Sequence, residues 1–364
     1  MNSNLQRLWL LFTIFGVFLL VRVEPLLGQN AESANDKHGS CHSHDQSPVG
    51  VMFSHIHPSK SFMFSYRFMS MAMNDKLSGT RNVADNEVFT NYLMLPKQMR
   101  MDMHMLMAMY GLSNKITLMA MVNYNVFSME MSMLPSNANA SSSHSQHNHS
   151  DHDHMAMKTS GIGDTKLYVL YDLIQKNEYQ FLLNFGVSIP TGDINIAGNE
   201  ANMYPSSRLP YSMQLGSGSY ELLPGITYST KFRSISASLQ ALYIHRIHAN
   251  SVGYRLGNEC VANAWAAYQL TKWLSFSMRA EGIFSSPIRG ADNSIYYLSE
   301  PAANTANYGG QKVNAFGGLN YFPKIGFLQT ARLSLEYGLP VYQNLNGIQS
   351  ATSGTLIAGL QVDF

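Results

Sequence analysis

From Phe62 to the last residue, apolar and polar side chains alternate one for one in runs of about ten residues. Between Tyr179 and Ile189 the odd positions are Tyr179, Phe181, Leu183, Phe185, Val187 and Ile189, while Gln180, Asn184 and Ser188 fall between them. Ala331, Leu333, Leu335, Tyr337 and Leu339 oppose Arg332, Ser334, Glu336 and Gly338. Leu356, Ala358, Leu360, Val362 and Phe364 oppose Thr355, Gln361 and Asp363. A period of two is that of a β-strand, which sends successive side chains to opposite faces. A soluble sandwich and a membrane barrel both alternate in this way. A run of about ten residues, however, is the length of a tilted membrane-crossing strand. The face opposite the apolar one carries charges and small polar groups, as a wet lumen requires. Short turns at 111–114, 175–178, 271–273 and 323–326 alternate with long polar connections, and a sandwich has no reason to gather its short turns at one end.

The fold expected is therefore all-β, a closed antiparallel transmembrane β-barrel. Strands are predicted near 62–73, 99–110, 115–126, 164–174, 179–190, 219–228, 235–246, 260–270, 274–284, 313–321, 330–340 and 354–364. That makes about twelve, with ten or fourteen as alternatives, and an even number brings both termini to the periplasmic side. Long extracellular loops are then expected near 74–98, 127–163, 191–218, 247–259, 285–312 and 341–353.

At the N-terminus, Arg7 precedes an apolar run from Leu8 to Val21, followed by Arg22 and Pro25. This is the three-part form of a secretory signal peptide. The run of 14 residues falls short of the roughly 20 that a spanning helix needs. Residues 1–28 are read as a signal peptide, with a second cleavage position offered by Ala31 and Ser33. Residues 29–61 are read as a His-containing periplasmic segment able to enter the lumen as a plug. Residues 62–364 form the outer-membrane barrel, with a disordered His-rich extracellular loop at 135–157.

Charged residues are 13% of the chain and the formal net charge is +1, so nucleic acid has no electrostatic claim as a partner. Cys41 and Cys260 are too few for a disulfide framework. No nucleophile motif stands out, and the chain is read as a non-enzyme. Glu221, Arg279, Glu281, Arg332 and Glu336 read as a charged lumen lining, and Asp164 as a strand-start residue.

The anomaly is methionine. Of 23 methionines, 19 lie between Met52 and Met157. Met99, Met101, Met103, Met105, Met107 and Met109 occupy every second position, so on a strand all six point one way. Met69, Met71 and Met73 repeat the pattern, as do Met119 with Met121, and Met129, Met131 and Met133. Phe62, Phe64, Tyr66 and Phe68 occupy the face of their own strand opposite Met69, Met71 and Met73 and suit lipid, which assigns the thioethers to the lumen. Thioethers are soft ligands that select Cu(I) and Ag(I) over hard cations. The predicted ordered Cu(I) site is a wall of Met69, Met71, Met73, Met99, Met101, Met103, Met119 and Met121 on three consecutive strands, with Met105, Met129, Met131 and Met133 as further candidate ligands. The competing reading is that Met fills space in a passage for greasy solutes.

Histidine is clustered too. The 127–163 loop carries His144, His147, His149, His152 and His154 with Asp151 and Asp153. Such a tract is too polar to pack, and its imidazoles suit Cu(II), Zn(II) and Ni(II). His38, His42, His44, His55 and His57 lie in the N-terminal segment. No cofactor is required; Cu(I) or Cu(II) is the candidate ligand.

Met-Tyr-Gly-Leu-Ser-Asn-Lys-Ile-Thr-Leu-Met-Ala-Met (109–121), Gly-Ile-Gly-Asp-Thr (161–165) and Ser-Ile-Pro-Thr-Gly (188–192) resemble the outer-membrane transporter family named after the meta-pathway of phenol degradation. The Met and His density resembles that of Met-rich outer-membrane proteins of copper resistance. The final strand, ending Leu-Gln-Val-Asp-Phe, resembles the signal read by the barrel insertion machinery. The resemblances imply a porin-like transporter in a Gram-negative outer membrane, reached through the secretory pathway. Its expected partners are outer-membrane lipid, the insertion machinery, and either metal ions or small apolar solutes. Two functions are expected to compete: binding or passing copper-like ions through a Met-lined lumen, and passive passage of small apolar or aromatic compounds.

Overall fold

A computed structural model describes residues 45–133, 154–176, 178–198, 208–323 and 330–364. The wall strands are β1 (Phe62–Gly79), β3 (Met94–Ser113), β4 (Ile116–Met133), β5 (His154–Ile162), β6 (Thr165–Gln175), β7 (Tyr179–Ile189), β8 (Glu221–Phe232), β9 (Ile235–Arg246), β11 (Glu259–Thr271), β12 (Leu274–Ser285), β14 (Gly310–Tyr321) and β15 (Ala331–Asp363). β2 (Arg81–Asn82), β10 (Tyr254–Arg255) and β13 (Arg289–Gly290) are two-residue pieces in the long connections. Each wall strand pairs antiparallel with its neighbours, and β15 closes the ring on β1.

Eleven strands form the closed path; β2 pairs with β1 off that path, and β5 pairs with β4 at 124–132, beyond the stretch of β4 that pairs with β6. A ring of alternating directions cannot close on an odd number, and β15 resolves this. Its first arm pairs with β14 (Leu333 to Leu345) and its second with β1 (Ile348 to Asp363). At the foot of the hairpin the Asp363 N–H donates to the Thr330 carbonyl at 3.3 Å. At its tip Gly347 has φ +59, and a Cβ there would run into Asn307. The wall therefore crosses the membrane layer twelve times.

The alternation sorts the two faces as expected. Phe64, Leu106, Val122, Val169, Phe185, Ile226, Phe276, Leu319, Leu335 and Leu360 all point outward and are exposed. A soluble protein does not carry a continuous apolar belt of this kind, whereas a bilayer covers it. Inward-facing residues of the same strands are buried, among them Met107, Asn184, Gln240, Trp265, Arg279 and Glu336.

The strands run longer than their alternation indicates. β1, β3 and β4 extend well beyond the expected 62–73, 99–110 and 115–126, so Met129, Met131 and Met133 stand on a strand and not in a loop. The segment 341–353, expected as an extracellular loop, is continuous strand within β15. β5 occupies 154–162, which includes the end of the loop placed at 135–157. Above the bilayer both faces of a strand are wet, so pairing continues after the alternation has stopped.

Candidate functional site

The interior has two unlike sides. β1, β3, β4 and β5 present thioethers. In register, Met73 lies opposite Met99, Met99 opposite Met129, and Met129 opposite Met157, one rung across four neighbouring strands. Met131 faces Met155 on the next rung toward the long-loop end. Directly opposed side chains on one face have Cβ atoms about 5 Å apart. These residues form a buried cluster with Met94, Phe127, Leu209, Met213 and Leu215; Met71, Met101 and Met133 pack against its edge. Met129, Met131 and Met213 are 1%, 0% and 0% exposed.

The 208–220 part of the connection between β7 and β8 covers this cluster through Leu209, Met213 and Leu215. It turns inward, and the Thr159 hydroxyl donates to the Met213 carbonyl at 2.9 Å. Asp164 anchors the connection, accepting from the Gly192 N–H at 3.0 Å and the Ser217 N–H at 2.8 Å. The strand-start role expected of Asp164 thus extends to tying two loop amides.

A second thioether cluster lies toward the short-turn end. Met107 opposes Met121 and Met109 opposes Met119. With Met63, Phe53, Tyr168, Leu170 and Leu223 they are buried together, and Met52, Ile56 and Met105 pack against them. The single wall expected from sequence is corrected here. Met119 and Met121 do not join Met99, Met101 and Met103, because the tight β3–β4 turn at residues 114–115 pairs positions summing to 228 (109 and 119, 107 and 121). Met69, although opposite Met103, packs against the cluster of Val49, Phe316 and Ile357. Met63, Met94, Met107, Met109, Met155, Met157 and Met213 enter the clusters without having been singled out as ligands. For Met107, Met109, Met155 and Met157 the every-second-residue spacing was the available signal; nothing in the sequence marks Met213.

The other side of the interior is charged. Arg246 Nε lies 2.9 Å from Glu221. Arg279 pairs with Glu336 at 2.8 Å and with Glu281 at 2.7 Å, its guanidinium 3.8 Å from the Phe316 ring centroid. The lumen-lining role expected of these groups is where the structure places them.

Residues 45–57 cross this interior. Asp45 Oδ2 is 2.8 Å from Arg332 Nη1, and Gln46 Nε2 donates to Gln269 at 2.8 Å. The Gly50 N–H donates to Glu336 at 2.7 Å, Arg67 to the Val51 carbonyl at 3.2 Å and Gln240 to the Met52 carbonyl at 2.6 Å. The His57 N–H donates to Thr117 Oγ1 at 2.9 Å. These partners stand on β15, β11, β1, β9 and β4, strands spread around the ring.

Three groups of this segment are electrostatically displaced. Burial pushes His57 down to about 3, and nearby His55 adds to the effect. Burial disfavours charge on His55 as well, yet the Asp45 carboxylate 3.2 Å away raises it. Burial opposes ionisation of Asp45 too, but His55 and Arg332 hold it well below the usual carboxylate range.

Among the described residues no group of three or more His, Cys, Asp or Glu side chains converges to hold a metal. His144, His147, His149 and His152 lie outside the described residues, as do His38, His42 and His44; His154 opens β5 opposite Ser132. His104 faces outward, its Nδ1 2.7 Å from the Tyr66 hydroxyl. Cys260 is a free, exposed thiol.

No protein-family profile and no curated protein matches the chain. Among solved structures it is similar to an outer-membrane channel of Pseudomonas putida F1, with a TM-score of 0.54 and 13% identity over 85% of this chain and 97% of that one. A FadL homologue of Pseudomonas aeruginosa aligns with a TM-score of 0.41 and 10% identity, over 84% of this chain and 90% of that one. The NanC porin aligns with a TM-score of 0.40 and 9% identity, over 84% and 99%. At these identities the likeness concerns the fold, and the fold is that of a Gram-negative outer-membrane β-barrel.

Proposed function

We propose that this barrel is an outer-membrane channel that captures and passes soft monovalent cations, Cu(I) above all, and carries out no chemistry of its own. The observation that carries this reading is the rung Met73–Met99–Met129–Met157, four thioethers side by side on the inner face of four strands. Leucine would fill the same volume, and the described interior offers no competing cluster of hard or borderline ligands. A donor set of sulfur alone selects Cu(I) and Ag(I) over Zn(II), Ca(II) and Mg(II). Uncharged thioethers leave the ion its charge and do not titrate, so affinity stays moderate and independent of pH. The histidines of the 134–153 connection are a separate loose binder of Cu(II) that does not feed the thioethers, which take up copper already in the Cu(I) state, and residues 45–57 restrict the periplasmic side. The final strand, ending at exposed Phe364, is the segment offered to the barrel insertion machinery.

A second reading has its own observation. The rung is buried with Leu209, Leu215 and Phe127, an apolar environment in which small aromatic solutes would also dissolve. Titration of the purified barrel with Cu(I) against a chromophoric chelator separates the two. Stoichiometric Cu(I) binding with no binding of Zn(II) at pH 5.5 supports the metal reading. Absence of Cu(I) binding, together with toluene or phenol uptake into liposomes that depends on the protein, replaces it with the second.

A further inference from the structure

We infer that the inner face of β3 is a transfer rail that moves a soft cation between two separate thioether stations, one near each end of the lumen. The inference rests on the soft-cation reading and adds a route to it. The stations are the two buried methionine clusters, the outer one around Met99, Met129 and Met157 and the inner one around Met107, Met119 and Met121. Only β3 is continuous between them in sulfur. Its six alternate methionines, Met99 to Met109, place a thioether about every 7 Å over roughly 33 Å. Met101 belongs to the edge of the outer cluster and Met105 to the edge of the inner one, with Met103 half-buried between them.

A second observation marks the stretch between the stations as a path and not as packing. Met103 lies opposite Asn125 and Met105 opposite Asn123 on β4. Asn123 and Asn125 are 7% and 4% exposed, and the Oδ1 of each has no protein partner. An apolar filler zone would gain nothing from two unpaired amide oxygens. Beside a migrating cation those oxygens present the negative ends of their dipoles.

The movement is ligand exchange. An ion leaving the outer station is held between Met101 and Met103. A bond to the Met105 sulfur forms as the bond to Met101 breaks, and the same exchange delivers it to Met107. The ion remains monovalent throughout, and neither a proton nor an electron moves. Three rotatable bonds per side chain let neighbouring sulfurs converge on one ion. Sites of few ligands between sites of many are what conduction needs: binding firm enough to admit the ion and weak enough to release it.

The test uses the full-length protein in liposomes with Ag(I) as the probe, which avoids copper oxidation. In Met103→Leu/Met105→Leu the Ag(I) flux into the vesicles should fall by about tenfold or more, whereas Met278→Leu, on the outer face of β12 and outside both stations, should keep the wild-type flux. Potassium flux and heat-modifiable migration serve as controls for pore and fold. Unchanged Ag(I) flux in the double variant overturns the rail while leaving the soft-cation reading intact. The rail is also overturned if wild-type protein binds Ag(I) without passing it. Wild-type protein that binds no Ag(I) at all removes the soft-cation reading, and the rail with it.

Discussion

Asp45 Oδ2 and Arg332 Nη1 lie 2.8 Å apart, joining the start of the luminal segment to the inner face of the first arm of β15. Arg332 is buried, and besides the carboxylate it binds Asn320 and the Ser47 carbonyl. Arg332→Met leaves Asp45 with His55, 3.2 Å away, as its one remaining counter-charge. Breaking a buried pair from one side costs about 3–5 kcal/mol, and Asp45 stays near the lower end because its side chain keeps 17% exposure. The expected result is a released segment 45–57: higher single-channel conductance in planar bilayers with the barrel still heat-modifiable. Wild-type conductance in this variant would show that other contacts hold the segment.

Docking of the segment should weaken as pH falls. His57 in place is held down to about 3 by burial and by His55, whereas a released histidine titrates near 6.5. Its contribution is present above pH 6.5 and is lost progressively between 6.5 and 3, by up to about 1.4 kcal/mol per unit. His55 is raised by Asp45, so its contribution is already complete below pH 6.5 and is lost only at higher pH. Asp45, held well below the usual carboxylate range, adds a loss only as pH falls through and below the ordinary carboxylate values. Conductance measured from pH 7.5 to 4.5 should therefore rise on the acid side of 6.5, and His57→Gln should flatten that rise.

In the outer thioether cluster, Met99→Leu/Met129→Leu/Met157→Leu preserves volume and apolarity. Each exchange should cost less than about 1.5 kcal/mol, so thermal unfolding should change little. Cu(I) affinity from chelator competition should drop by at least about tenfold, since every tenfold corresponds to only 1.4 kcal/mol. Unchanged affinity would reduce the outer rung to packing.

Leu106 and Met105 are sequence neighbours on opposite faces of β3, Leu106 63% exposed in the apolar belt and Met105 packed toward the inner cluster. Leu106→Arg puts a charge into lipid at a cost of about 2–4 kcal/mol and should deplete the heat-modifiable species in outer-membrane fractions. Met105→Gln, facing the interior, should assemble normally. The reverse ranking would invert the face assignment on which the thioether wall depends.

Much of the barrel was legible because lipid and lumen impose opposite demands on adjacent residues. The strand expected at 235–246 is β9 at those bounds, and the one expected at 179–190 is β7 to within a residue. What failed to show was whatever lies outside the bilayer. Gln343, Asn344, Asn346, Gln349 and Ser350 read as loop, yet they stand in the β15 hairpin, paired by backbone bonds that no alternation announces. The methionine face was readable strand by strand. Its division into two clusters was not, because that depends on register across the β3–β4 turn and on a loop residue, Met213, whose neighbours are distant in sequence. The contacts of residues 45–57 depend on arginines and glutamates nearly three hundred positions away.

The seam between β1 and β15 sets a timetable for the methionines. β1, β3 and β4 pair through nearby turns, and such local contacts form early, whereas Met63 can meet Asp363 only after every intervening strand is in hand. Until that last docking the thioether wall is one face of an open, curved sheet in the oxidising periplasm and not the inside of a tube. Conversion of those sulfurs to sulfoxides would then turn an apolar face polar before it was ever enclosed. The interval between synthesis of the first strand and arrival of the last is thus the period in which this lumen is chemically most vulnerable.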